Sequence, residues 1–213
     1  MEIRPASDRS LLVSFGDRIS LESHSDVLRL LRAFEELPRG ILNLHPAYAS
    51  VLIDFDPRRA THGEIERLVR ARWEEAQAMP MAEPRRLEIP VRYGGECGPD
   101  LEDVARYTGF SAAEIVRRHT SAEYVVYFLG FSPGFPYLGG LPPELAIPRL
   151  PAPRKEVPAG SVAIGGSQTG IYPMSTPGGW RLIGRTTVRL FDAAANPPAL
   201  LRTGDRIRFV PLP

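Results

Sequence analysis

Between Tyr124 and Trp180 a proline or glycine interrupts the chain every few residues, and no helix of ordinary length fits between them. What remains is a set of short apolar runs: Tyr124–Phe128, Ser161–Ile164 and Trp180–Ile183, followed by Val188–Phe191 and Arg206–Val210. Short strands separated by dense turn signals predict a closed or nearly closed β-barrel. Two short helices precede it. One lies near Asp100–Tyr107 and stops at Gly109; the other is capped by Ser111 with Glu114 three residues on.

The first part of the chain has a different rhythm. Leu11, Val13 and Phe15 alternate as in a half-buried strand, and Val27, Leu30, Leu31, Phe34 and Leu37 form one face of a helix closed by Pro38 and Gly40. Ile41–Leu44 and Val51–Phe55 read as strands about a His45-Pro46 corner. Thr61-His62-Gly63-Glu64 is a capping box opening a helix with Ile65, Leu68, Val69 and Trp73 inward. A strand at Leu87, Ile89 and Val91 either completes a ferredoxin-like β-α-β-β-α-β pattern or opens the next domain. The proline-flanked segment 79–84 is the linker candidate. The expectation is therefore an α+β chain, with a small ferredoxin-like domain over 1–84 and a β-barrel domain over 85–213.

Bulk properties exclude several functions. The net charge of +1 offers no general field for nucleic acid or an anionic membrane. Cys97 is the only cysteine, which rules out an internal disulfide and argues against a cysteine metal site. There is no spaced Cys/His cluster and no H-E-x-x-H, so no metal is expected. The N-terminal residues have no apolar signal core, and no apolar run is long enough to span a bilayer; a cytoplasmic location is expected. Lys155 is the only lysine and is followed by glutamate, so there is no P-loop.

Two stretches carry chemical interest. Gly130-Phe131-Ser132-Pro133-Gly134-Phe135-Pro136-Tyr137-Leu138 is an irregular loop too aromatic for solvent; it reads as a plug over the barrel end or as the wall of a ligand pocket. It contains G-x-S-x-G, but Pro133 and Pro136 deny the helix that a nucleophile elbow needs. Gly165-Gly166-Ser167-Gln168-Thr169-Gly170, followed by Ile171-Tyr172-Pro173, is either a barrel turn or a loop that binds a carboxylate, phosphate or lactam. Beyond it Trp180 and Arg181 follow two glycines. Arg154, Arg181 and Arg185 either grip an anion or form rim salt bridges. Phe131, Phe135, Tyr137, Arg154, Gln168, Thr169, Tyr172, Trp180 and Arg181 are the binding candidates, with Gln168 and Arg181 expected to face one pocket. For proton transfer the only histidine considered is His119, at a helix end where it equally suits the helix dipole.

These motifs, with Val157-Pro158-Ala159-Gly160-Ser161-Val162, Pro177-Gly178-Gly179-Trp180 and Gly204-Asp205-Arg206-Ile207-Arg208-Phe209, resemble the family of B-type subunits of ATP-hydrolysing 5-oxoprolinase. That family is also called allophanate hydrolase subunit 1 or the KipI-type carboxyltransferase domain. The resemblance implies a cyclophilin-like barrel after a ferredoxin-like domain. It also implies ATP-dependent opening of 5-oxo-L-proline to L-glutamate with a C-type subunit (allophanate hydrolase subunit 2-like) and an A-type LamB/YcsF-like subunit. ATP, with Mg, would be co-substrate of that complex, in which this chain alone is expected to be inactive and His119 or Arg181 to serve catalysis. The alternatives within the resemblance are an inhibitor of a sporulation histidine kinase and a subunit of a urea carboxylase or allophanate hydrolase system. Lacking Met-Lys-Met, the chain cannot carry biotin itself.

Overall fold

A computed structural model describes all 213 residues. The chain divides into two compact units, residues 1–83 and 84–213.

In the first unit β1 (Glu2–Ser7) and β2 (Ser10–Ser14) form a hairpin, followed by α1 (Leu21–Ala33), β3 (Ile41–Pro46), β4 (Ser50–Phe55) and α2 (His62–Gln77). The antiparallel sheet runs β1-β2-β4-β3. Leu11 and Val13 from β2, Val51 and Ile53 from β4, Val27 and Leu30 from α1, and Ile65 and Val69 from α2 bury its core. Thr61 and Glu64 cap α2 reciprocally, as the capping box requires. Leu37 lies beyond α1 and is exposed.

Of the two places the sequence left open for the strand at 87–91, the structure takes the second, and the fourth strand of this sheet comes from elsewhere. β1, at the sheet edge, fills that place, with Pro5 tolerated because an edge strand leaves one side of its backbone unpaired. The run 87–91 belongs to β5 (Arg86–Tyr93), which opens the second unit and pairs parallel with the last strand.

That unit continues with α3 (Leu101–Thr108), α4 (Ala112–Ser121), β6 (Tyr124–Leu129), β7 (Pro136–Gly139), β8 (Arg154–Val157), β9 (Ser161–Gly165), β10 (Gln168–Ile171), β11 (Thr176–Gly178), β12 (Arg181–Arg185) and β13 (Arg206–Pro211). Seven strands close a barrel in the order β10-β7-β6-β13-β5-β12-β9, and β8 and β11 form a separate two-stranded ribbon. Ile89, Val91, Val126, Leu138, Val162, Ile164, Ile183 and Phe209 pack with Leu101, Val104 and Ile115 of α3 and α4 to make the main core. Segment 188–191 forms no strand; only a bridge between Phe191 and Ala199 remains there. No helix is long and apolar enough to cross a membrane.

Candidate functional site

The aromatic loop joins β6 to β7, whose register brings Leu129 opposite Pro136. The Ser132 N–H donates to the Gly130 carbonyl at 2.7 Å across Phe131, whose φ of 65° is the only positive value at a non-glycine residue. This is a γ-turn of the rare strained form. The next turn is relaxed. The Phe135 N–H donates to the Ser132 carbonyl at 3.0 Å over Pro133 and Gly134 (φ 80°), the residue pattern of a type II turn. Ser132 therefore stands between two turns, with no helix after it. Its Oγ is buried without a hydrogen-bond partner, so the G-x-S-x-G string is not a nucleophile elbow.

The loop seats its aromatics on the outer barrel wall. Phe135, Tyr172 and Trp180 are buried and form a second core with Val157, Ala163 and Leu182. Phe135 meets Tyr172 at 5.2 Å and Trp180 at 5.6 Å between ring centroids, edge to face. Such pairs add about 0.5–1.5 kcal/mol each beyond their burial. The wall beneath is glycine because the rings occupy the side-chain positions: a Cβ at Gly165 would lie 2.5 Å from the Trp180 indole, and one at Gly170 would lie 2.9 Å from Phe135. Phe135, Tyr172 and Trp180, expected as pocket residues, are thus the packed foundation. Phe131, 63% exposed, and half-buried Tyr137, stacked on Phe128 at 4.5 Å, form the accessible rim. Residues 129–134 line an open depression of about 350 Å³ beside them.

The glycine-rich segment proves to be a two-residue hairpin between β9 and β10, pairing Gln168 with Gly165. Gly166 supplies the positive φ of 65° that a primed turn needs at its first central position. It also exchanges both backbone hydrogen bonds with Ile147, at 2.8 and 3.1 Å, so its N–H is already used and cannot cradle an anion.

Strand alternation separates the remaining candidates. Thr169 and Ile164 face the barrel interior; Gln168 and Gly165 face outward, toward the aromatic foundation. Arg181 pairs with inward-facing Ile164, and its guanidinium reaches Asp103 of α3 at 3.4 Å. Gln168 and Arg181 therefore point to opposite sides of the wall, not into one pocket. Arg154 is tied to buried Asp100 at 2.6 Å, and the other oxygen of Asp100 accepts from the Leu182 N–H at 2.7 Å. Of the three arginines singled out in the sequence, two are salt-bridged and Arg185 is not.

His119 is completely buried. Thr169 Oγ1 donates to the Ala163 carbonyl at 2.9 Å, so the 3.0 Å contact to His119 must use an Nε2 proton. Nδ1 then accepts from the Tyr93 hydroxyl at 2.8 Å. The ring also stacks on Phe209 at 4.6 Å. Burial lowers its pKa to about 3, and the ring is neutral at pH 7. With no exposed atom and both nitrogens engaged, His119 braces the barrel interior instead of exchanging protons with a ligand, and Thr169 shares that structural role. Tyr93 was missed in the sequence, although extending the 87, 89, 91 alternation by two residues reaches it. Asp100 and Asp103 were missed as arginine partners; the acid-rich first turn of α3 was their signal. No three His, Cys, Asp or Glu side chains converge as metal ligands.

Comparison with known proteins gives a consistent set of relatives. Residues 1–201 match the family described as carboxyltransferase domain, subdomain C and D. The chain is 49% identical to the 5-oxoprolinase B-type subunit of Escherichia coli O157:H7, over 96% of this chain and 93% of that one. It is 42% identical to the corresponding 5-oxoprolinase protein of Bacillus subtilis (strain 168), over 98% of this chain and 92% of the relative. Similarity to the urea amidolyase of Saccharomyces cerevisiae is weaker, at 27% identity over 98% of this chain but 13% of that much longer protein. Among solved structures, TTHA0988 superposes with a TM-score of 0.86 at 41% identity, covering 96% of this chain, which spans 40% of that one.

Proposed function

We propose that this chain, which belongs to the carboxyltransferase-domain (subdomain C and D) family and within it to the 5-oxoprolinase branch, is the B-type subunit of an ATP-dependent 5-oxoprolinase. The observation that carries the reading is identity of 42–49% along nearly the full length of both this chain and relatives bearing that name. The reaction is the opening of 5-oxo-L-proline to L-glutamate with ATP hydrolysis, in a cytoplasmic complex with A-type and C-type subunits.

In that reading the barrel is cyclophilin-like, and the first unit is a ferredoxin-like sheet whose fourth strand comes from the N-terminal hairpin. The sheet order β1-β2-β4-β3 with two helices supports the latter. A lactam amide is a poor electrophile; transfer of a phosphoryl group from ATP to its oxygen releases ADP and opens the ring carbon to water. The ring C–N bond then breaks as the amine leaves protonated, and a second water releases phosphate to give glutamate. ATP is a co-substrate of the assembly. Mg would arrive with ATP, since the donor set of this chain offers no metal site.

The contribution we assign to this chain is positioning. Gln168, with an amide that both donates and accepts, faces outward opposite Gly165, the glycine that Trp180 covers, and Tyr137 stands opposite Gly170 two residues further along the same face, on a wall held rigid by Phe135, Tyr172 and Trp180. A flat lactam suits aromatic edges with one amide partner. Activity then needs groups from the partner subunits, which accounts for a chain with no nucleophile–base pair of its own.

The test is co-expression with candidate A-type and C-type subunits, followed by measurement of 5-oxoproline-dependent ATP hydrolysis and glutamate release. Activity is expected only when all three are present. Robust turnover by the pure lone chain, or none by the reconstituted set alongside urea-dependent turnover, would overturn the reading.

A further inference from the structure

The geometry points to an oxyanion site, of the phosphoryl class, on the outer wall of the barrel where β5, β12 and β9 lie side by side. The register places Arg92, Arg185 and Ser161 in one row: Arg185 is directly opposite Arg92 on one side and directly opposite Ser161 on the other. All three face outward, because their neighbours Val91, Gly184 and Val162 face the interior: Val91 and Val162 belong to its core, and Gly184 is paired with Val162 and lies against Val91.

Three features of this row are unsatisfied. Two arginines directly opposite each other on adjacent strands repel, and a sheet ordinarily avoids that pairing. Arg154 and Arg181 each have a carboxylate, whereas no carboxylate lies within ion-pair distance of Arg92 or Arg185. The Arg185 Nε is buried without a hydrogen-bond partner, while its stem runs along Gly160. Ser161, fully buried at the end of the row, has an Oγ with no partner either. Burying the Arg185 Nε and the Ser161 Oγ unpaired is costly, so a row that retains both beside two uncompensated arginines is built for something that pairs them.

An oxyanion between the two guanidiniums removes the repulsion and accepts from Arg185 Nε, with the Ser161 hydroxyl as a further donor. Two planar forks converging from separate strands supply more donors than the two oxygens of a carboxylate accept; three terminal phosphoryl oxygens match them better. The row is distinct from the aromatic foundation, and its occupancy can be measured without catalytic turnover.

The experiment titrates inorganic phosphate against the full chain at constant ionic strength, following thermal unfolding and calorimetric heat. Saturable stabilisation is expected, with the folded-to-unfolded ratio rising roughly elevenfold when phosphate reaches ten times its Kd. Arg185→Gln and Arg92→Gln should each weaken phosphate about tenfold or more, while Arg4→Gln, an exposed arginine in the first unit, should change nothing. Arg92 is exposed, so its variant tests the site even if Arg185→Gln misfolds. ATP that competes with phosphate identifies a nucleotide as the source; failure to compete identifies free phosphate. Absence of saturable phosphate binding, binding that Arg92→Gln leaves intact, or equal binding of acetate and glutamate would overturn the assignment.

Discussion

Gly165→Ala tests whether the glycines of the outer wall exist to admit the aromatic rings. The new Cβ would stand 2.5 Å from two indole carbons of Trp180 and 2.6 Å from a third. Ordinary contact begins near 3.4 Å, so the ring must withdraw by about 0.9 Å. Phe135 at 5.6 Å and Tyr137 at 6.2 Å between centroids hold it from the side, and it is only 5% exposed. Expelling the indole altogether would forfeit roughly 4–6 kcal/mol, from 150–250 Å² at about 25 cal/mol per Å². Overpacking with the ring retained costs about 1–3 kcal/mol. The cheaper outcome wins, so a destabilisation of about 2–3 kcal/mol is expected with Trp180 still buried. Urea unfolding followed by fluorescence reads this cleanly in a Trp73→Phe background, because Trp73, in the first unit, is the other tryptophan. The midpoint should fall while the slope stays constant. Gly63→Ala is the matched control: its Cβ meets nothing within 4 Å in α2, and it should stabilise by up to about 1 kcal/mol. A Gly165→Ala loss below about 0.5 kcal/mol would refute the packing argument.

Three further outcomes are expected. His119 has a folded pKa near 3 against an ordinary 6.5, so its contribution is complete above pH 6.5 and is lost as pH falls from 6.5 toward 3. The slope is at most about 1.4 kcal/mol per pH unit; His119→Gln should flatten it between pH 6.5 and 4.5, and parallel curves would contradict the buried neutral ring. In the reconstituted complex, Gln168→Ala should lower kcat/KM roughly 10²-fold without changing stability. Arg181→Ala should instead cost about 1–2 kcal/mol of stability and little activity, and the reverse pattern would show that the outward face is not the functional one. Ser132→Ala should retain activity within about tenfold, whereas a loss beyond about a thousandfold in kcat would reinstate it as a nucleophile.

What could be read from the sequence was whatever local chemistry decides. The capping box at Thr61 and Glu64 acts within one turn, and the cap at Ser111 does likewise; both formed as written. The barrel was legible because proline and glycine leave so few other options. What escaped depends on partners distant in sequence. β1 gave no alternating signal because all but one of its residues are exposed. The fate of 86–93 is decided by β13, more than a hundred residues later. The joint placement of Gln168 and Arg181 failed because the faces of β10 and β12 depend on register with β9, and a bulge between Leu182 and Gly184 resets the alternation. The glycines were noticed for the right reason, freedom of backbone, but the occupant of the space they leave at Gly165 is the indole of Trp180, which leads into the neighbouring strand.

The position of β13 bears on synthesis. It is the last barrel strand to leave the ribosome, yet it sits between β6 and β5, the earliest two. Until residues 206–211 emerge, the nascent unit carries two open edges, each displaying unpaired backbone and flanked by Ile89, Val91, Val125 and Val126. Such edges recruit other chains as readily as their own missing strand. Translation that stalls ahead of Arg206 therefore yields a sticky intermediate instead of a smaller stable barrel, and cells would need to shield it or complete it promptly.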